Sequence, residues 1–284
     1  MPIKLYLLVG LAYSCFFCTD ILIRKYSVKA NSFSFILKRS SYTVLLSLAL
    51  LLVSLNILTP PSVWVALQII GISLICGMGL WLFILANRLI SFPNVVVINL
   101  FGLLVQQLAA RFILGEHFSP YFFQSLAICV LGLLVQASVP KLQKGLIFAL
   151  LSISCWSFGY SLLSIPLKHT QVTWSTFLME STILFSAWLI YTFSKKENEK
   201  APEQTENRIK PLTFMIIAVL TTLGSLLIKQ SYKEFQVGQI SLLYLFLFPF
   251  SLLVSKWYFK EQISKREWLG TCIIFIGIAL FVLR

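Results

Sequence analysis

One stretch of this sequence occurs twice. Residues 77–132, moved by 145 positions, fall without a gap on residues 222–277. Gly79 then meets Gly224, Arg88 meets Lys233, Arg111 meets Lys256, Glu116 meets Glu261, Ser119 meets Ser264 and Gly132 meets Gly277. Matches between leucine-rich segments follow from composition alone. Charged residues and glycines are scarce here, so one register through all of them indicates duplication, which takes precedence over other fold signals. The opening segments match as well, at a shift of 140: Lys4 with Lys144, and Ser14-Cys15-Phe16 with Ser154-Cys155-Trp156.

The duplicated material is arranged in apolar blocks of about 20 residues, the length at which a helix crosses a ~30 Å hydrocarbon core. Of 284 residues, 58% are hydrophobic and only 12% charged, and the mean hydropathy is +0.87. Soluble domains carry about 25% charged residues; this chain has too few to coat a globule in water. Its net charge of +13 sits singly or in small groups between the apolar blocks. That is the pattern of membrane-protein loops rather than of a nucleic-acid surface, so no nucleic-acid partner is expected.

The blocks predict helices over 5–23, 33–55, 63–86, 94–114 and 121–139, then over 146–166, 174–194, 212–228, 238–258 and 268–283. Pro93 suits the start of the fourth. Lys4 followed by an apolar run imitates a signal peptide, but the run is long and has no small-residue cleavage site before Asp20 and Arg24, so it reads as an uncleaved first span. The polar segment 195–211 reads as a solvated surface loop, and it accounts for the change of register from 140 to 145. An odd number of helices per copy sends the second copy into the membrane upside down. The expected fold is therefore all-α integral membrane, with ten transmembrane helices in two inverted five-helix repeats, 1–140 and 141–284. In transporters built this way the substrate site lies near the midplane between the repeats.

The fourth predicted helix ends in Leu114-Gly115-Glu116 and precedes an apolar helix carrying Gly132. The second copy has Pro249 within a helix, Glu261 at its end and Leu269-Gly270 opening the last span, and Trp156-Ser157 lies in the helix that opens this copy. In these features the chain resembles the drug/metabolite transporter superfamily in its ten-helix EamA-like form. It departs from that pattern at Leu104, where the family has proline, at Lys260, where it has glycine, and at Phe16-Phe17, where it has Trp-Gly. The resemblance covers nearly the whole chain and implies fold and transport without fixing a substrate. It also implies that the first, third, fourth, sixth, eighth and ninth helices line a central cavity, braced by the fifth and tenth.

Within that frame, Asn99, Gly102 and Gln106 lie at i, i+3 and i+7 on one face of the fourth helix. Their counterparts on the ninth are Tyr244, Leu247 and Ser251. Polar side chains at membrane depth need partners or a wet cavity, so these positions either line the cavity or bond helix to helix. Trp156 falls mid-membrane, although tryptophan prefers the interface. Asn99, Gln106, Trp156, Tyr244 and Ser251 are the candidate substrate-binding residues. Gln107, about 100° round the helix from Gln106, reads as a contact between helices.

Two acids lie within spans and are the candidates for ion coupling. Glu180 is ~10 Å into the seventh helix, opposite the Lys38-Arg39-Ser40 group in the repeat alignment, which makes an ion pair between the halves an alternative to a proton or cation site. Asp20 precedes Arg24 by four residues, the favourable order for a simple pair. Lys38 and Arg39 can also snorkel to the headgroups. Glu116 and Glu261, at helix ends, are expected to tie those ends to a neighbouring loop or backbone amide.

Other motifs fall away. Cys15-Phe16-Phe17-Cys18 lies in an apolar span without thioredoxin-like context, and Gly77-Met78-Gly79 is a packing site rather than a phosphate loop. His117 and His169 are too few for a histidine metal site, and no loop-borne catalytic constellation is apparent. No enzyme activity, cofactor or metal is expected. The expected function is a secondary transporter in a bacterial inner membrane, with the lipid bilayer and a small-molecule substrate as partners. It would export an amino acid or related polar or amphipathic metabolite by alternating access, two four-helix groups rocking around a midplane site, as monomer or homodimer, with proton coupling open. The alternatives are a sugar-phosphate or nucleotide-sugar exchanger, using the deep cations Lys38, Arg39 and Lys229, and a non-transporting membrane partner protein. Lys and Arg collect on the side opposite the termini, which places the termini outside and the 195–211 loop in the cytoplasm, whereas the resemblance implies cytoplasmic termini.

Overall fold

A computed structural model describes residues 3–27, 31–55, 58–115, 117, 121–137, 143–193, 209–234 and 247–282. Their regular structure is helical throughout: α1 (Ile3–Ser27), α2 (Ser32–Val53), α3 (Val63–Leu89), α4 (Phe92–Leu114), α5 (Phe122–Ala137), α6 (Gln143–Leu167), α7 (Val172–Phe193), α8 (Pro211–Glu234), α9 (Leu247–Val254) and α10 (Lys265–Val282). Seven of these, α1 to α4 and α6 to α8, are long and apolar enough to cross a membrane; α5 is a shorter apolar helix. Large apolar side chains such as Leu7, Leu45, Phe112 and Trp188 stand exposed, as a lipid-facing surface requires. Tyr244, Glu116 and residues 195–208 of the polar segment lie outside the described residues.

Helix ends follow local chemistry. Asn31 caps α2, its Oδ1 accepting from the Phe33 and Ser34 N–H groups at 3.0 and 3.2 Å, which satisfies two of the orphan donors of a first turn. α1 runs on past the expected end at residue 23 to Ser27, with Arg24 and Lys25 in its last turn, where cations suit the helix dipole. α3 likewise continues to Leu89 and leaves two residues before α4, which starts on Pro93 in its first turn. Ser264 and Glu267 form a capping box for α10. The Glu267 N–H donates to Ser264 Oγ at 3.2 Å and the Ser264 N–H to Glu267 Oε2 at 2.8 Å, each side chain satisfying the other's backbone.

The chain divides into two compact units, Met1–Trp81 with Leu162–Phe235, and Leu82–Ser161 with Gln236–Arg284. In the first, α8 packs on α1 and α2, and α7 on α2 and α8. Phe214 of α8 meets the Phe35 and Tyr42 rings of α2 at 5.5 and 6.2 Å between centroids. At Gly224 the missing side chain lets the Phe16 ring and the Ala12 carbonyl of α1 come close: a Cβ there would stand 3.1 and 3.2 Å from them.

In the second unit, α10 packs along α5 and α4, and α9 on α4. Gly132 of α5 faces Gly270 and Ile274 of α10, while Gly277 of α10 faces Ile128 and Cys129 of α5. Contacts that advance along one helix retreat along the other, so the two cross antiparallel. The Cys129 thiol points at the Ile274 carbonyl, 3.5 Å away.

The end of α4 and the corresponding point after α9 share a backbone state. Gly115 closes α4 in the left-handed region at φ 71°. A π-helical turn, Ser255–Phe259, continues α9 and is closed by Lys260 at φ 53°. These are counterpart positions in the 145-residue register. Glycine adopts this conformation freely, whereas a residue with a Cβ is strained by about 1–2 kcal/mol. Lys260→Gly is accordingly expected to raise stability by ~1 kcal/mol, read as a higher melting temperature of the detergent-purified protein; a lower one would mean the lysine side chain contributes more than the strain costs.

Candidate functional site

The candidate residues of the second unit are carried by α4, α6 and α9. Asn99 is half-buried and Gln106 buried on one face of α4. Between them, Gly102 lies against α6: a Cβ there would come within 2.2 Å of Ile153 Cγ1, and the Ser157 hydroxyl donates to the Gly102 carbonyl at 3.1 Å. The centre of this polar stripe is thus closed by a helix crossing, and Gly102 acts as a packing residue. Trp156, adjacent to Ser157, is half-buried and stacks on Tyr160 at 5.5 Å between centroids. Ser251 is fully buried on α9, which packs on α4. Four of the five candidates therefore sit on adjoining helices of one unit. Gln107 points away from them and donates to the His117 carbonyl at 3.4 Å.

The N-terminus of α4 is held by two glutamates from beyond α9. Glu261 Oε2 accepts from the Phe92 N–H at 2.9 Å and from the Ser255 hydroxyl at 2.6 Å, the tie to a backbone amide expected of it, and its charge sits where the helix dipole favours an anion. Glu267 adds a second fastening, which the sequence reading did not include. Asn94 Nδ2 donates to Glu267 Oε1 at 2.9 Å, and Thr271 donates to Asn94 Oδ1 at 3.0 Å. The Ser-x-x-Glu spacing from Ser264 was the available signal for Glu267.

The first unit holds the buried charges. Arg39 of α2 grips Glu180 of α7 through both carboxylate oxygens, Nη1 to Oε2 at 2.9 Å and Nη2 to Oε1 at 3.3 Å. The two residues are 5% and 3% exposed, so Arg39 is an interior partner and does not snorkel. Lys229 of α8 is wholly buried and donates to Thr176 Oγ1, one turn before Glu180 on α7, at 3.1 Å. Asp20 is half-buried on α1 and forms no ion pair with Arg24. The four-residue spacing permits that pair, but Arg24 is engaged by another partner.

Residues 143–283, almost the whole second half, match the model of the EamA-like transporter family. The chain belongs to the EamA-like transporter family. With its long apolar helices, this makes it a multi-pass membrane protein of a transporter family. A crystal structure described only as that of a protein shares the fold, with a TM-score of 0.61 at 16% identity over 100% of this chain and 98% of that one. No curated protein matches the sequence.

Proposed function

We propose that this EamA-like protein is a secondary transporter that exports a small polar or amphipathic metabolite, an amino acid or a close relative of one, from a bacterial cell. Transport follows alternating access through ten spans arranged as two inverted halves, 1–140 and 141–284. The observation that carries the mechanism is the reciprocal crossing of α5 and α10. Cys129 is the counterpart of Ile274 and Gly132 of Gly277 in the 145-residue register. The contacts are reciprocal: Gly132 lies against Ile274, and its counterpart Gly277 lies against Cys129, the counterpart of Ile274. An antiparallel crossing of equivalent helices is what a two-fold axis in the membrane plane produces. The second helices of the two halves, α2 and α7, also pack together. Each compact unit draws on both halves of the sequence, which suits bodies that move as wholes while α3 and α6 run from one into the other.

Asn99, Gln106, Trp156, Ser251 and, from outside the described residues, Tyr244 are the proposed substrate contacts. The phosphate-exchanger alternative needs open cations, whereas Arg39 is committed to Glu180 and Lys229 is buried against Thr176. The test is counterflow: purified protein in liposomes loaded with unlabelled amino acids, with uptake of each labelled amino acid measured outside. Asn99→Leu and Gln106→Leu are expected to lower exchange of the accepted substrate about tenfold or more without changing the gel-filtration profile. Wild-type exchange in both variants would move the site elsewhere, and no exchange of any amino acid would remove the substrate class.

A further inference from the structure

α8 carries a buried lysine that the transport reading leaves unused. Lys229 lies five residues before the end of α8 and is 0% exposed. Among the described residues, its hydrogen bond goes to Thr176 Oγ1. An ammonium has three N–H groups to place and a strong hydration shell to replace, and within a span it is unfavourable unless paired. The nearest acid on α7, Glu180, is occupied at both oxygens by Arg39. A guanidinium stays protonated in proteins, so the Arg39–Glu180 pair is neutral as a unit. Lys229 then decides whether this cluster is neutral or singly positive. Thr176 serves either state, since a hydroxyl accepts from an ammonium and donates to the lone pair of a free amine.

The surrounding helices leave few other groups to share that role. Among the described residues, Glu180 of α7 and the Cys76 thiol of α3 are ionisable groups near Lys229; Arg39 of α2 is bound to Glu180, and Lys38 beside it has its own partner. On α8 itself, Lys233 donates to the Thr170 carbonyl. On α1, the Lys4–Glu234 pair and the Phe16–Gly224 contact show that α1 and α8 run antiparallel. Asp20 therefore stands level with Ala218, ~16 Å along α8 from Lys229.

We propose that Lys229 is a proton-binding site of the transport cycle: its ammonium releases one proton to water on one side of the membrane, and the free amine takes one from water on the other. The proposal rests on the transporter reading above. It assigns the proton to Lys229 rather than Glu180, because both oxygens of Glu180 are already engaged by Arg39 whereas the hydrogen bond of Lys229 goes to a neutral hydroxyl.

The test has two arms. In the first, the melting temperature of the full-length protein in detergent is followed from about pH 6 to 10 for wild type and Lys229→Met. The difference between the two curves is expected to bend as Lys229 titrates, and a straight difference overturns the proposal. Thr176→Val keeps the lysine and is expected to displace the bend along the pH axis. If Lys229→Met fails to fold, coincident wild-type and Thr176→Val curves overturn the proposal. In the second arm, liposomes holding the protein and a trapped pH-sensitive dye receive a mixture of proteinogenic amino acids. Proton movement on addition is expected to fall about tenfold in Lys229→Met and Lys229→Arg while amino-acid counterflow survives in both. Proton movement at the wild-type rate in Lys229→Met overturns the proposal. If no amino acid moves in any variant, the substrate reading fails alone, and the first arm still decides the proton site.

Discussion

Arg39→Met is expected to lower the melting temperature of the detergent-purified protein steeply, Glu180→Met to do the same, and the double variant to recover most of the loss. The two side chains are 5% and 3% exposed and joined through both carboxylate oxygens. Removing either partner leaves the other as an uncompensated buried charge, at a cost of about 3–5 kcal/mol. Removing both replaces the pair with two apolar side chains of suitable length, a change that is often neutral or stabilising. The single variants and the double variant thus differ in sign from additivity, and that non-additivity measures the coupling. Thermal unfolding of the four proteins under one detergent condition checks it. Single variants as stable as wild type would mean that water reaches the pair and that the charge is never stranded.

This pair was legible in the sequence because the 140-residue register sets Glu180 against the Lys38-Arg39-Ser40 group, and an acid that deep requires a partner. The apolar blocks were legible for a similar reason: few charges interrupt them, so helix positions follow from length. Their ends were less so, since α1 and α3 continue past the expected ends at residues 23 and 86 through Arg24 and Arg88, where a basic residue extends a helix as readily as it ends one. Lys229 was harder to place. Its place at the end of the eighth apolar block marks it as a deep cation, and only the packing of α8 on α7 shows that it meets Thr176. Gly102 was read with Asn99 and Gln106 because helical spacing gives a face; which helix covers that face depends on the α6 crossing at Ile153 and Ser157. Lys260 stands where the resemblance expects glycine. The backbone there is left-handed all the same, so the fold overrides what the residue prefers.

Gly132→Ala is expected to destabilise the protein more than Gly277→Ala, although the two glycines are counterparts. A Cβ on Gly132 would stand 2.8 Å from the Gly270 carbonyl oxygen and 2.9 Å from the Ile274 nitrogen, both backbone atoms of α10. Backbone cannot rotate out of the way, so α5 and α10 must part, and the loss extends along the whole crossing. Overpacking of this kind costs about 1–3 kcal/mol, and valine should exceed alanine. On Gly277 the closest atom is Cys129 Sγ at 2.7 Å, with the Cys129 nitrogen next at 3.1 Å; the thiol can turn aside, so part of the strain is relieved. Cys129→Ala should therefore rescue Gly277→Ala and leave Gly132→Ala unimproved, a coupling expected only between groups in contact. Melting temperatures of the three single and two double variants test this directly. A Gly132→Ala protein that melts with wild type would rule out a close α5–α10 crossing and, with it, the reciprocal contact that supports an inverted repeat.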